Sequence, residues 1–343
     1  MTTRWWRSSM AVDVIQRASL APSRRRFLSW MGLGGAMATL PMLSACEPGS
    51  PLRVVLHDWP GYAFMRLALR QGLVSGDEVT LVETEGMADS VEAMASGQVD
   101  AAALTLDNLI ALRAQGVDAV VVLLFDVSSG GDALLGGPHL TSLADLRGAR
   151  VGVENTALSA VMLDRALAAG GLQRAEIEVA HFTGSAEAAW ASANLDAVLT
   201  YQPAVEALRQ RGLRVLFDSR QTPFLIVDVL AVRREALGSN AATLRRLIRG
   251  HFAVQRQWRE DPLNSNFALA SLLGVDAQQV HGVFRGLNIP DERFNRQYLT
   301  APARELNEAT QTLCGILRDE RGCDTSALSL PGLFLPDYLP EPG

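Results

Sequence analysis

The sequence predicts an α/β protein built as a two-lobed clamp, each lobe a doubly wound and mainly parallel sheet, with a helical C-terminal tail. Three observations predict it. A short unit occurs twice, as ASGQVDAAALT at residues 95–105 and as ASANLDAVLTY at residues 191–201. The likeness extends to a whole strand-helix-strand-helix-strand plan at a nearly constant offset: 97 residues from Arg53 to Arg150, 98 from Glu78 to Glu176 and 96 from Asp100 to Asp196. Strands that alternate with helices in this way pair in parallel and are covered on both faces.

In chain order, RVVLHDWPGYAFMRLALRQGL from Arg53 reads as a β-branched strand, a Pro60-Gly61 turn and an amphipathic helix ending at Gly72. RVGVENTALSAVMLDRALAAGGL from Arg150 repeats the order and ends its helix at Gly170-Gly171. EVTLVET from Glu78 and EIEVAHF from Glu176 are short strands, and each repeated unit then closes a helix and opens a buried strand. Between the copies lie an apolar strand, a Gly-rich crossing (Gly130-Gly131, Gly136-Gly137) and a helix-like SLADLRG. After the second copy, RVLFDSRQTPFLIVDVLAVRREAL returns with another apolar strand. Two crossings between two lobes describe a hinge. Beyond residue 238 helical patterns dominate, ATLRRLIRGHFAVQRQWRED, NFALASLLG, AQQVHGVFRGL and ARELNEATQTLCGILRDERG, and this tail is expected to pack on the first lobe. The expected division is residues 52–132 with 225–343 for the first lobe and 133–224 for the second.

A chain of 343 residues, 48% hydrophobic and 20% charged, has room for two domains. Every one of its 31 basic residues is Arg. The first 45 residues are basic, with six Arg against one Asp, although the whole carries a net charge of −6. The remainder is therefore strongly acidic, which opposes nucleic acid as a partner. SRRRFLSW from Ser23, followed by the apolar MGLGGAMATLPMLSA, has the charged and apolar regions of an export signal over residues 1–45. Arg24-Arg25 with Phe27-Leu28 resembles a twin-arginine motif. LSAC resembles a bacterial lipobox in which Cys46 carries the lipid, residues 46–51 then forming a lipid-anchored tether. The alternative, a permanent membrane helix, needs about 20 apolar residues, and this run is shorter and holds Gly34, Gly35 and Pro41. Cys314 and Cys323 can form a local disulfide in an exported chain. No metal site is expected there or among the five His, which lack ligand spacing.

Ligands of open α/β sheets bind beyond the carboxyl ends of the strands. With two lobes face to face, those loops converge on one cleft. The ligand-binding candidates there are Trp59, Tyr62, Ser90, Thr105, Asp107, Ser129 and Asp132 from the first lobe and its crossing, and Glu154, Thr156 and Tyr201 from the second. Each has a structural alternative: Trp59 and Tyr62 as core cover, Ser90 and Asp107 as helix caps, Asp132 and Asp228 as braces of the hinge. The loops contain several carboxylates and no Arg. An anion site ordinarily offers a guanidinium fork, although backbone N–H groups at helix N-termini can replace it. Rings beside carboxylates favour an amine, a zwitterion or a neutral heterocycle.

WPGY at Trp59, SGQVDAAALTLDN, DVSSGGDALL, LADLRGARVGVENTAL, LDAVLTYQPAV and FDSRQTP followed by IVDVLAV carry a family resemblance. Over residues 52–240 the chain resembles the periplasmic substrate-binding proteins of ABC importers of the nitrate, sulfonate, taurine and bicarbonate class, which share their architecture with thiamine-pyrimidine synthases. The resemblance implies a clamp on the periplasmic side of the cell membrane. It would capture a small-molecule solute and present it to a membrane permease with its ATPase, without a cofactor. It leaves the solute open, and the alternatives are a ligand sensor built on the same clamp or a thiamine-pyrimidine-related binding protein for an amine or heterocycle. A pyridoxal phosphate enzyme on this fold needs a Lys Schiff base, and the chain has no Lys.

Overall fold

The computed structural model describes residues 50–300, 304–321 and 332–341. The export signal, Cys46 and Cys323 lie outside the described residues, and with them the lipidation and disulfide expectations. Among the described residues no helix is long and apolar enough to cross a membrane.

The first copy of the repeat folds as β1 (Leu52–His57), α1 (Ala63–Arg70), β2 (Val79–Thr84), α2 (Met87–Ala95) and β3 (Ala101–Thr105). The helix α3 (Leu106–Ala114) and strand β4 (Ala119–Ser128) lead to the crossing, and β5 (Asp132–Gly136) enters the second lobe. The second copy is β6 (Arg150–Glu154), α4 (Ala157–Gly170), β7 (Glu178–Phe182), α5 (Ala186–Ser192) and β8 (Ala197–Tyr201). It is followed by α6 (Ala204–Gln210), β9 (Arg214–Asp218), the returning strand β10 (Val227–Arg233) and the two-residue β11 (Leu287–Asn288).

These strands form two sheets, β11-β4-β10-β3-β1-β2 and β7-β6-β8-β5-β9. Each contains the same parallel triplet, β2-β1-β3 or β7-β6-β8. In each, a strand arriving from the crossing lies antiparallel against the third member, β10 on β3 and β5 on β8. The repeated Asp explains why the unit recurs. Asp100 accepts the backbone N–H of Arg53 at 2.9 Å, and Asp196 accepts that of Arg150 at 2.8 Å. In both lobes one carboxylate thus ties the start of the third strand to the start of the first, satisfying a donor that the ladder leaves over.

All ten residues of β4, AVVVLLFDVS, are buried, as a continuous apolar run at the centre of a covered sheet requires. Two smaller cores cover the faces of the second sheet, one beneath α4 (Leu158, Met162) and one beneath α5 and α6 (Ala189, Val205). Thr156 caps α4 by accepting the Ser159 N–H at 3.2 Å, and Gly171 ends it with a left-handed φ of 65°.

The tail departs from expectation in three places. Helices Ala241–Glu260 and Pro262–Leu273 do pack on α1, but helix Arg304–Arg321 lies against both α3 and α4 and so touches both lobes. AQQVHGVFRGL yields only a four-residue helix, Val280–Val283, and a 3-10 turn, because Gly282, Gly286 and two Val weaken a longer one. A further helix, Glu292–Thr300, brings buried Asn295 against β4, where it accepts the Leu124 N–H at 2.7 Å and donates to the Leu124 carbonyl at 3.0 Å. The β4–β10 register slips there. Phe125 has no partner in β10, and Asp126 falls opposite Asp228.

Candidate functional site

The strand ends that the repeat sets up converge where the lobes meet. His57 ends β1 and Glu154 ends β6; Thr105 ends β3 and Tyr201 ends β8. Facing the last two in register are Asp228 on β10 and Asp132 on β5. The two Asp are therefore counterparts, one from each antiparallel strand. His57, Trp59, Met87, Thr105, Asp132, Leu158, Tyr201 and Asp228 enclose a cavity of about 10 Å³ between them. That is room for about one water, so a larger occupant requires the lobes to part.

Two crossings make the hinge. In the first, the Ser129 N–H donates to the Gly286 carbonyl at 2.7 Å, and the Gly130 N–H donates to Ser219 Oγ at 2.6 Å. Ser128 and Ser219 hydroxyls lie 2.7 Å apart and join the first crossing to the second. Hydrogen bonds also span the lobes near the cavity. The Ala157 N–H, opening α4, donates to Asn108 Oδ1 of α3 at 3.0 Å, while Asn108 Nδ2 donates to Thr105 Oγ1 at 2.7 Å. The Met87 N–H, opening α2, donates to the Tyr201 hydroxyl at 3.2 Å, which in turn donates to Glu154 Oε1 at 3.3 Å.

The walls are aromatic and the floor acidic. Trp59 and Tyr201 meet edge to face at 5.8 Å, and His57 contacts both Tyr62 and Tyr201. Trp59 Nε1 donates to Asp126 Oδ2 at 2.8 Å, and the Tyr62 hydroxyl donates to Asp228. Gly61 makes the Trp59 contact possible, since a Cβ there would lie 1.7 Å from Asp126 Oδ2. Burial raises the Asp126 carboxyl to about 8, opposed by the Trp59 bond and reinforced by Asp132. Burial likewise raises Asp132 to about 7 against a Ser128 hydrogen bond, and Glu154 to about 7 against the Tyr201 bond. Asp228 is pushed well above the carboxylate range, first by burial and then by Asp126. His57 is lowered to about 3 by burial and by Arg66, so its imidazole is neutral. Asp126 Oδ1 and Asp132 Oδ2 are buried without a hydrogen-bond partner among the described residues.

Of the predicted residues, Trp59, Thr105, Asp132 and Tyr201 line the cavity. Tyr62 lies buried behind it, on Asp228. Glu154 stands beside Tyr201 and faces the backbone of Ala88 at the start of α2. Ser90 is not a helix cap: α2 starts at Met87 with Gly86 before it, and the Ser90 hydroxyl sits against Thr84 Oγ1 at 2.7 Å and His57 Nδ1 at 3.4 Å. Asp107 is not a cap either, being buried in the first turn of α3 with Thr105 at the cap position. Thr156 caps α4, and Ser129 is held by its backbone in the hinge. Asp228, expected to brace the hinge, is part of the cavity wall. His57 and Asp126 were not among the candidates. A lone acid inside an apolar run, LLFDV, is the signal that marks Asp126. Larger hollows lie elsewhere, about 480 Å³ between residues 221–225 and helix Arg304–Arg321 and about 280 Å³ beside the start of α4. Neither gathers strand ends from both lobes.

A two-lobed α/β architecture whose strand ends meet at one buried junction is the class that this fold defines. Residues 74–256 match the family model described as NMT1/THI5 like, and the chain belongs to that family. Among solved structures it is similar to the alkanesulfonate-binding protein SsuA from Xanthomonas axonopodis pv. citri, at a TM-score of 0.67 and 18% identity over 83% of this chain and 98% of that one. It is also similar to the periplasmic aliphatic sulphonate binding protein SsuA from Escherichia coli, at 0.61 and 22% over 80% and 94%. The desulfurization enzyme DszB shares the architecture at 0.56 and 15% over 84% and 97%. No curated protein matches the sequence. At these identities the structural likeness establishes the fold, which serves binding proteins and at least one enzyme.

Proposed function

We propose that the protein is the solute-binding component of an ABC importer, closing its two lobes on a small molecule and delivering it to the membrane permease. Residues 52–132 and 225–343 form the first lobe of this clamp and residues 133–224 the second, with Asp132, at the boundary, opening β5 of the second sheet. Residues 1–45 act as the export signal, and a lipid on Cys46 holds the clamp on the periplasmic face of the cell membrane. The carrying observation is that strand ends of both lobes build one buried cavity, with Thr105 and Asp228 supplied by one sheet and Tyr201 and Asp132 by the other. A clamp needs this division, because closed-state affinity then depends on contacts from both sides.

A thermal-melt screen of the full chain in detergent tests the proposal, against nitrate, bicarbonate, alkyl sulfonates, taurine, amines, betaines and pyrimidines. A ligand at 100 times its dissociation constant stabilises the native state by about 2.7 kcal/mol, which moves the melt by a few degrees. A saturable shift lost in Tyr201→Ala supports the clamp, and no shift with any member of the panel counts against it. The sulfonates bound by the SsuA proteins are the second candidates, favoured by the shared fold. Against them stands the lining of the cavity, which contains two carboxyl groups and no Arg.

A further inference from the structure

We propose that the solute is a small organic cation, a protonated amine or amidinium, whose N–H groups are received by Asp126, Asp132 and Asp228 and whose remainder lies against the rings of Trp59 and Tyr201. This rests on the clamp proposal and names the chemistry of its ligand.

Three carboxyl groups are buried together at the junction, with 0%, 2% and 2% of their surfaces exposed for Asp126, Asp132 and Asp228. Their donors are few: one from Trp59, one from Tyr62 and one from Ser128. Two oxygens, Asp126 Oδ1 and Asp132 Oδ2, have none among the described residues. A buried carboxyl group without a donor is unfavourable, and one near others of its kind more so. Core residues of the same shape would serve packing better, so the cluster is explained by what it receives. An ammonium brings three N–H donors and an amidinium four, with the opposite charge. Rings around them favour a cation further.

Among the described residues no Arg lines the cavity. Facing the three carboxyls are neutral His57 from β1, Tyr62, Asp107 from α3, Glu154 from β6 and Tyr201 from β8. His251, beyond Phe125, is also neutral through burial. The nearby guanidiniums are engaged outside the cavity, Arg66 with Asp58 and Glu83 and Arg220 with Asp218. An anion entering here would meet acids on both lobes. A cation displaces the protons that burial holds on them, so its affinity rises with pH across the range in which those protons are held.

The test is calorimetric titration of the full chain in detergent at pH 6 and pH 8. The probes are acetamidinium and benzamidinium, their neutral isosteres acetamide and benzamide, and methanesulfonate and benzenesulfonate. The expected result is an amidinium affinity at least about tenfold above that of its amide, no binding of either sulfonate, and a loss of about tenfold on going from pH 8 to pH 6. Asp132→Asn weakens the amidinium by a similar factor while melting no lower than the parent at pH 8. Sulfonate binding without amidinium binding overturns the cation and leaves the clamp standing. Failure of every probe overturns the cation, and if Asp126→Asn and Asp132→Asn then both melt lower the carboxyls are structural and the cavity falls as a solute site with it.

Discussion

Gly61 shows how closely single residues constrain the junction. Its missing side chain is what lets the Asp126 carboxyl reach Trp59, so Gly61→Ala must push one of them aside. The expected cost is about 1–3 kcal/mol in a urea titration. The buried acids set a second expectation at this scale. Asp126 is held near 8 and Asp132 and Glu154 near 7, all above their ordinary values. Between about pH 4 and pH 8 the folded protein therefore keeps protons that the unfolded chain has released. Stability is greatest on the acid side of that window and falls as pH rises, by up to about 1.4 kcal/mol per pH unit for each such proton. Melts of the unliganded protein from pH 5 to pH 8.5 check the sign; a rise across that range would refute it. Trp59, Thr105 and Tyr201 were legible from the sequence because the repeat locates the strand ends, and Asp132 because it follows the Gly-rich crossing. Asp126 was not, since a one-residue register slip decides which way it points.

At the scale of elements, the repeat is carried by Asp100 and Asp196, each tying two strand starts together. Replacing either with Ala leaves a strand-edge N–H without its charged acceptor, and about 1.5–3 kcal/mol of stability should go with it. Equilibrium unfolding of Asp100→Ala and Asp196→Ala measures this. Similar losses would make the two residues energetic as well as geometric counterparts, and no loss in either would make the motif incidental. The parallel triplets were readable because β-branched runs and amphipathic helices recur at a fixed offset. The tail was harder to read. A two-residue strand such as β11 carries no periodicity, and helix Glu292–Thr300 is placed by the hydrogen bonds of Asn295 to Leu124, a contact between residues 171 apart in sequence. Gly286 belongs to the same contact network: a Cβ there would meet the Gly131 nitrogen at 2.7 Å, so its size is set by the hinge and not by its own turn.

The whole molecule works only if its lobes are held together by few enough contacts to part. Helix Arg304–Arg321 lies against both lobes, and its buried Leu313 and Leu317 share the main core with Val161 of α4. Near the cavity, beside the ring contacts of Tyr201 with His57 and Trp59, the bridges are polar: Ala157 to Asn108, Met87 to Tyr201, and Glu154 to the backbone of Ala88. A polar bridge suits a clamp, because on opening each partner can trade a protein bond for a bond to water at little net cost, whereas an apolar seam would have to be exposed. Asn108→Ala removes the acceptor of the first bridge and the donor to Thr105 while leaving the hinge and both sheets intact. The closed state should lose about 0.5–1.5 kcal/mol relative to the open one, a shift of about two- to tenfold in their ratio. Small-angle scattering of the unliganded variant should then give a larger radius of gyration than the parent, and any ligand that binds the closed state should weaken by the same factor. An unchanged radius with unchanged affinity would mean that the Asn108 bridge does not hold the lobes, leaving helix Arg304–Arg321 and the serine-bonded hinge to set the equilibrium.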